Sequence, residues 1–284
     1  MSESSELRRL GDFELVKELG SGGMGTVWEA VQTSLGRRVA LKLLAPHISM
    51  SATALQRFQR EAEAGARIAH PNIVVVHQVG EENGVHFIVQ ELIEGETSLA
   101  TRLHKHREQQ DLPSDYYPKV AEIFAQVADA LQVAHDAGIV HGDLKPSNVM
   151  IREDGSPVIL DFGLSVRISD DDASSLSSSI VGTPAYVAPE RIRDHTRAPS
   201  GDIYSLGVML FQLLTGELPF RGNAQMQMHQ VVHDDAPSPR KLNAQIPKDL
   251  ETICLKCLEK SPPKRYGTAA ALASAIRDDI LSQL

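Results

Sequence analysis

His141-Gly142-Asp143-Leu144-Lys145-Pro146-Ser147-Asn148, with Asp161-Phe162-Gly163 a short way beyond it, is the stretch on which the reading of this chain turns. It holds a carboxylate, Asp143, and an ammonium, Lys145. It also holds Asn148 and Asp161, whose hard oxygen donors suit magnesium. A candidate base, a cation and two metal-binding side chains are what phosphoryl transfer from a nucleotide requires. Its catalysis is mostly positioning and charge neutralisation.

Towards the N-terminus, Gly20-Ser21-Gly22-Gly23-Met24-Gly25-Thr26-Val27 fits the pattern G-x-G-x-x-G-x-V. Glycine lets a backbone approach phosphates closely and present N–H groups to them. An ordinary hairpin uses glycines too. A dinucleotide-binding fold is disfavoured, because there the motif opens a helix, whereas Thr26-Val27-Trp28 continues as a strand. Lys42 ends the apolar run Val39-Ala40-Leu41-Lys42. A lysine inside an apolar strand costs free energy unless paired. Glu61, on the helix expected next, is the partner the sequence offers; the plainer reading is a surface lysine on an edge strand. Paired, Lys42 would be held towards the α and β phosphates.

Bulk properties bound the function. With 284 residues, the chain can form one large domain or two lobes sharing a cleft. It is 42% apolar and 23% charged, an ordinary globular balance. A net charge of -9 argues against general nucleic-acid binding, which needs a basic footprint. Met1-Ser2-Glu3-Ser4-Ser5-Glu6 is polar and acidic, so no secretory leader is expected. No stretch approaches the roughly 18 consecutive apolar residues of a membrane span. The expectation is a cytoplasmic protein with no membrane or nucleic-acid partner; oligomeric state leaves no signal. Cys254 and Cys257 show a CxxC spacing, but a structural zinc site wants four ligands. Leu250, Ile253, Cys254, Cys257 and Leu258 share one helical face, so core packing is expected for both thiols.

Along the chain, Phe13–Leu19, Thr26–Val31 and Arg38–Leu44 read as strands. A helix follows over Ala54–Ile68, then strands over Ile73–Gly80 and Val85–Leu92 around the turn Glu82-Asn83-Gly84. From about residue 96 the pattern is helical: Tyr117–Ala137, Asp202–Leu214, Leu250–Leu258 and Ala269–Leu284. His104–Asp115 is expected as a charged connection, and Asp170–Ser179 as an acidic, serine-rich mobile segment. This predicts an α+β chain of two lobes with a cleft near Glu91-Leu92-Ile93-Glu94-Gly95.

The set as a whole resembles the eukaryotic-type protein kinases, in particular the serine/threonine (Hanks-type) kinases of bacteria, from about Phe13 to Ile280. The likeness rests on the glycine loop, Val39 to Lys42, Glu61, His141 to Asn148, Asp161-Phe162-Gly163 and Ala188-Pro189-Glu190, in that order. It implies a bilobal kinase fold: a tail over 1–12, a small antiparallel-sheet lobe over about 13–92 and a mainly helical lobe over about 96–284. It implies Asp143 as base, Lys145 neutralising the γ-phosphate, and Asn148 and Asp161 holding Mg²⁺. Leu19, the glycine loop from Gly20 to Val27, Lys42, Glu61, Glu91 and Ile93 would bind ATP, the last two through backbone groups on adenine. Gln90 would stand at the back of the adenine pocket. Asp202 would brace the catalytic-loop backbone, and Glu190 would pair with Arg265. Lys145-Pro146-Ser147-Asn148 and Gly182-Thr183-Pro184 match serine/threonine rather than tyrosine specificity, so the implied substrates are Ser/Thr hydroxyls of proteins, the chain itself included.

One position departs. Gly142 stands where the family usually has an arginine that binds a phosphate on the activation segment. Activity without that phosphorylation, other regulation, or a slower enzyme are the consequences open. Two rivals follow: a pseudokinase that binds nucleotide without transfer, and a small-molecule phosphotransferase. The intact Lys42, Asp143, Asn148 and Asp161 oppose the first, and the Gly182–Glu190 segment opposes the second.

Overall fold

Alternation of apolar and polar residues in the first ninety positions builds a sheet whose two faces differ in purpose. The computed structural model describes residues 9–22, 25–45, 55, 68–94, 97–108, 112–161 and 184–282. Strands β1 (Arg9–Leu10), β2 (Phe13–Gly22), β3 (Gly25–Gln32), β4 (Arg37–Leu44), β5 (Val76–Glu82) and β6 (Val85–Glu91) form an antiparallel sheet in the order β1-β2-β3-β4-β6-β5. Asn83 and Gly84, at φ 53° and 77°, close the β5–β6 hairpin; two residues with positive φ suit the twist of the flanking strands.

Cross-strand partners share a face. Ala30 pairs with Val39, Leu41 with Val89 and Leu43 with Phe87, and these residues join Leu10, Phe13 and Leu15 in one apolar cluster. The opposite face carries the other register set: Val27 pairs with Lys42, Lys42 with Ile88, and Ala40 with Gln90. This second face looks onto the rest of the molecule, because Lys42 reaches Asp161 from it.

The fifth strand begins later than its sequence suggests, at Val76 rather than Ile73. Ile73 instead bridges in parallel to Ile159, and the Val74 N–H donates to the Ile159 carbonyl at 2.9 Å. The lead-in is thus drawn onto a second small sheet, β7 (Thr97–Ser98), β8 (Val149–Ile151) and β9 (Pro157–Ile159), in the order β7-β8-β9.

Helices follow: α1 (Leu99–Glu108), α2 (Tyr116–Asp136), α3 (Pro189–Asp194), α4 (Pro199–Thr215), α5 (Ala224–His233), α6 (Pro239–Leu242), α7 (Lys248–Cys257) and α8 (Ala269–Ser282). α1 corrects the expected charged connection. Leu99 and Leu103, one turn apart, are buried in the core and give this polar stretch an apolar stripe. Most helical stability comes from packing such a face. α4 is buried without a break from Asp202 to Leu214, so it forms the axis of this half. α2, α7 and α8 contribute to the same core.

Cys254 and Cys257 pack there as free thiols. Burial pushes the Cys254 thiol well up and Cys257 to about 12, which leaves both unreactive. A Cβ at Gly207 would stand 2.6 Å from Cys257 Cβ, so the glycine is what lets α4 and α7 approach so closely. Glu61, most of the expected helix over Ala54–Ile68, and Asp170–Ser179 lie outside the described residues. No helix among the described residues is long and apolar enough to cross a membrane.

Candidate active site

The catalytic stretch is a loop, and its shape is fixed from behind. The side chain of Asp202, near the start of α4, is fully buried. Its Oδ2 accepts the His141 N–H at 2.9 Å and its Oδ1 accepts the Gly142 N–H at 2.8 Å. His135 Nε2 lies 2.8 Å from Oδ2. Burial alone would raise the Asp202 carboxyl; the bond to His135, the two imidazoles nearby and the Gly142 N–H outweigh it and hold it below its ordinary value.

His141 is itself buried. Its Nδ1 accepts the Asp143 N–H at 3.2 Å, so Nε2 carries the proton and donates to the Leu160 carbonyl at 3.0 Å. Burial lowers its pKa, opposed by Asp202, and keeps the ring neutral. One imidazole thereby ties the start of the loop to the segment that leads into Asp161.

Beyond His141 the chain presents Asp143, whose Oδ2 accepts from Lys145 Nζ at 2.8 Å. The Pro146–Asn148 turn then brings Asn148 back: its Nδ2 donates to the Asp143 carbonyl at 2.8 Å. The β8–β9 hairpin sets the remaining donor. Val149 pairs with Ile159, and the Leu160 N–H bonds to the Asn148 carbonyl at 2.8 Å, so Asn148 and Asp161 emerge at the same end. Asp161 sits at φ 54°, the left-handed region that aspartate tolerates better than most residues. There Asp161 Oδ1 meets Lys42 Nζ at 2.7 Å. Lys42 is 6% exposed, so this pair offsets the cost of burying its ammonium. Among the described residues Asp161 is its carboxylate partner; the expected Glu61 lies outside them.

The residues expected to bind nucleotide come mostly from the sheet. Leu19, Gly20, Ser21 and Gly22 are exposed at the end of β2, Thr26 and Val27 follow on β3, and Gly22 pairs with Gly25. Gly23 and Met24 lie outside the described residues. Gly25 has φ 146°, and a Cβ there would stand 1.9 Å from the Leu43 carbonyl oxygen; a Cβ on Gly20 or Gly22 would have no described residue within 4 Å. At the far end, the Glu91 N–H is taken by the Val75 carbonyl at 2.9 Å, and its side chain meets Arg152 at 2.6 Å. Ile93 is buried with Val74 and Val158, and the partly buried Met150 and Leu160 pack against them. Gln90 is buried on the cleft face, and its Nε2 has no hydrogen-bond partner among the described residues.

Several contributors were invisible in the sequence. Arg191 and Arg197 both donate to the backbone of the catalytic loop, and His135 supports Asp202. No fixed spacing marks them, because they come from elements remote along the chain. The Glu190–Arg265 pair implied by the resemblance is present and bidentate, at 2.7 and 2.8 Å. Thr183, Phe162 and Gly163 lie outside the described residues.

Comparison with known proteins accords with this geometry. The family model described as "Protein kinase domain" matches residues 13–276. The serine/threonine-protein kinase PrkC of Bacillus subtilis is 33% identical over 269 residues, 94% of this chain and 40% of that protein. The serine/threonine-protein kinase PknD of Mycobacterium tuberculosis is 36% identical over 272 residues, 95% of this chain and 40% of that protein. The crystal structure of the Mycobacterium tuberculosis PknI kinase domain superposes with a TM-score of 0.74 at 26% identity, covering 95% of this chain and 97% of that one. The chain thus spans about 40% of the length of these two curated relatives. With a family match over nearly its whole length and a bilobal fold to go with it, the chain belongs to the protein kinase family.

Proposed function

We propose that this chain is an ATP- and Mg²⁺-dependent serine/threonine protein kinase that passes the γ-phosphate of ATP to Ser/Thr hydroxyls of proteins, itself included. The observation that carries this is the pair of ion pairs facing one cleft, Lys42–Asp161 from the sheet side and Lys145–Asp143 from the loop side. The small lobe is taken as about 13–92, extended by β1 (Arg9–Leu10), whose Leu10 joins its core, and the large lobe as about 96–284. The absence of a spanning helix among the described residues and the use of ATP support a cytoplasmic place of work.

Asp143 accepts the proton of the substrate hydroxyl and turns its oxygen towards the phosphorus. Lys145 offsets the negative charge that gathers as the γ-phosphoryl group moves. Lys42 orients the α and β phosphates, and residues 19–27 cover them with backbone N–H groups. Glu91 and Ile93 offer backbone groups to adenine, and Glu61 joins the nucleotide side of the site. The donor set fits a divalent cation: Asp161 Oδ2 and Asn148 Oδ1, the latter accepting only a long 3.5 Å contact from the Ser147 hydroxyl, are hard oxygen donors suited to Mg²⁺. Asn148 and Asp161 would hold Mg²⁺, which would supply positive charge to neutralise the phosphates.

The test is transfer of label from γ-labelled ATP to a basic test protein and to the chain itself. Wild type should label both at serine or threonine, and Asp143→Asn and Lys42→Met should label neither while staying folded. A folded wild type that binds nucleotide and transfers nothing would make it a pseudokinase.

A further inference from the structure

The backbone that precedes the candidate base is gripped from two sides, and only one grip is explained by Asp202. Residues 140–142 turn three consecutive carbonyls towards α3 and the α3–α4 connection. Arg197 Nη2 donates to the Val140 carbonyl at 2.7 Å and to the His141 carbonyl at 3.2 Å. Arg191 Nη1, on α3, donates to the Gly142 carbonyl. Meanwhile the N–H groups of His141 and Gly142 go to Asp202.

Position 142 is part of the same arrangement. Gly142 has φ 72°, and a Cβ there would lie 2.9 Å from Arg197 Nε and 3.1 Å from Arg191 Nη1. The glycine therefore leaves room for two guanidinium groups at the place where a side chain would emerge, and its carbonyl turns to meet one of them.

We propose that Arg191 and Arg197 are positioning residues for Asp143: they supply from α3 and the α3–α4 connection the cationic hold on the catalytic loop that a side chain at 142 does not give. This rests on the reading of Asp143 as the base. Charge-assisted donors are stronger than neutral ones, and a guanidinium fork fixes direction as well as distance. Preset geometry matters because small misplacements of a reacting group cost rate rather than binding. The hold is intrinsic to the folded helical half, so the loop is set without a charge at position 142.

The experiment compares steady-state kinetics and melting of the whole chain for wild type, Arg197→Ala, Arg197→Lys, the double variant Arg191→Ala/Arg197→Ala, and Asp143→Asn as reference. Hydrogen exchange at 141–144 is read on each. Arg197→Ala should lower kcat about tenfold, with KM for ATP and for a peptide within twofold and melting nearly unchanged. The double variant should lose about a hundredfold. Arg197→Lys should regain several-fold, and exchange at 141–144 should quicken in step with the loss of kcat. Unchanged kcat in a folded Arg197→Ala, a loss confined to KM, or a loss explained by the unfolded fraction would each overturn the proposal. Wild-type activity that survives Asp143→Asn would instead overturn the reading of the base. Should wild type transfer nothing, unaltered exchange in the alanine variants would still reject the positioning role.

Discussion

The candidate catalytic loop and the strands flanking the glycine turn, which we propose serve one reaction, are built in opposite ways. Around residues 141–148 nearly every polar group is spoken for: Asp202, His141, Asn148 and two arginines fix it from several directions. Before the glycine turn, β2 runs out into solvent, and no described residue lies within 4 Å of where a Cβ on Gly20 or Gly22 would be. If the loop holds a proton acceptor at a set position, as proposed, its many hydrogen bonds are what keep that position fixed. On the same reading the strand ends beside the turn admit and release a nucleotide, which suits their exposure. Order around the acceptor and openness around the phosphates is the division of labour.

The hardest way to break this contrast is to leave the loop's framework intact and remove its chemistry. Asp143→Asn keeps size and most bonds, and it should lower kcat by about 10²–10⁴, the usual share of a positioned base. Melting should barely move, since Asp143 is only partly buried and its side-chain partner is Lys145. A variant with near wild-type kcat would place the base elsewhere. Next in size is the bracket behind α3. Glu190→Ala leaves the Arg265 side chain buried and short of its carboxylate, and breaking such a pair costs about 3–5 kcal/mol. A urea midpoint shows this directly, and α3 carries Arg191, so the catalytic loop should loosen along with it.

The other arm of the contrast is probed at two glycines of one turn. Gly25→Ala forces a side chain onto the Leu43 carbonyl at a φ that L residues rarely adopt, whereas Gly22→Ala meets no described residue. We expect KM for ATP to rise about tenfold in the first, from strain of about 1–3 kcal/mol passed into the turn, and to change less than threefold in the second. Equal effects would mean that the turn is as tightly fitted as the loop, and the comparison would collapse.

Why some of this was legible in the sequence follows from the same physics. Local determinants can be read off directly. The alternation in β3 and β4, the Asn83-Gly84 turn, the apolar faces of α2 and α7, and the burial of Cys254 and Cys257 all depend on neighbours a few residues away. The donors Asp143, Lys145, Asn148 and Asp161 sit within a span short enough for one loop and one hairpin to gather them. What could not be read depends on chain returns. Arg191 and Arg197 reach the loop from 49 and 57 positions away, and Arg152 reaches Glu91 from 61. Polar segments such as α1 gain helicity from only two core leucines, a stripe too thin to outweigh the surrounding charges on the page. Ile73 belongs to a strand by composition but follows the Ile159 bridge instead, because tertiary pairing overrides β propensity.

The smallest expected effect concerns acid. His141 is neutral and buried, and its pKa in the folded chain is below the usual 6.5, chiefly through loss of solvation. The unfolded chain therefore takes up a proton that the folded one refuses, so stability is full above 6.5 and falls as pH drops beneath it. The slope for one such proton approaches about 1.4 kcal/mol per pH unit. His70 and His77 are shifted the same way by burial and steepen the same window. Asp202, held below its ordinary 3.8, adds its loss only at more acid pH. Melting should be flat from pH 8 to 7 and decline from about 6.5 downwards. His141→Gln, which keeps a donor for the Leu160 carbonyl, should start less stable at pH 7.5 and decline less steeply. An identical slope in that variant would assign the acid sensitivity to His70 and His77, and the grip on the catalytic loop would then be insensitive to mild acid.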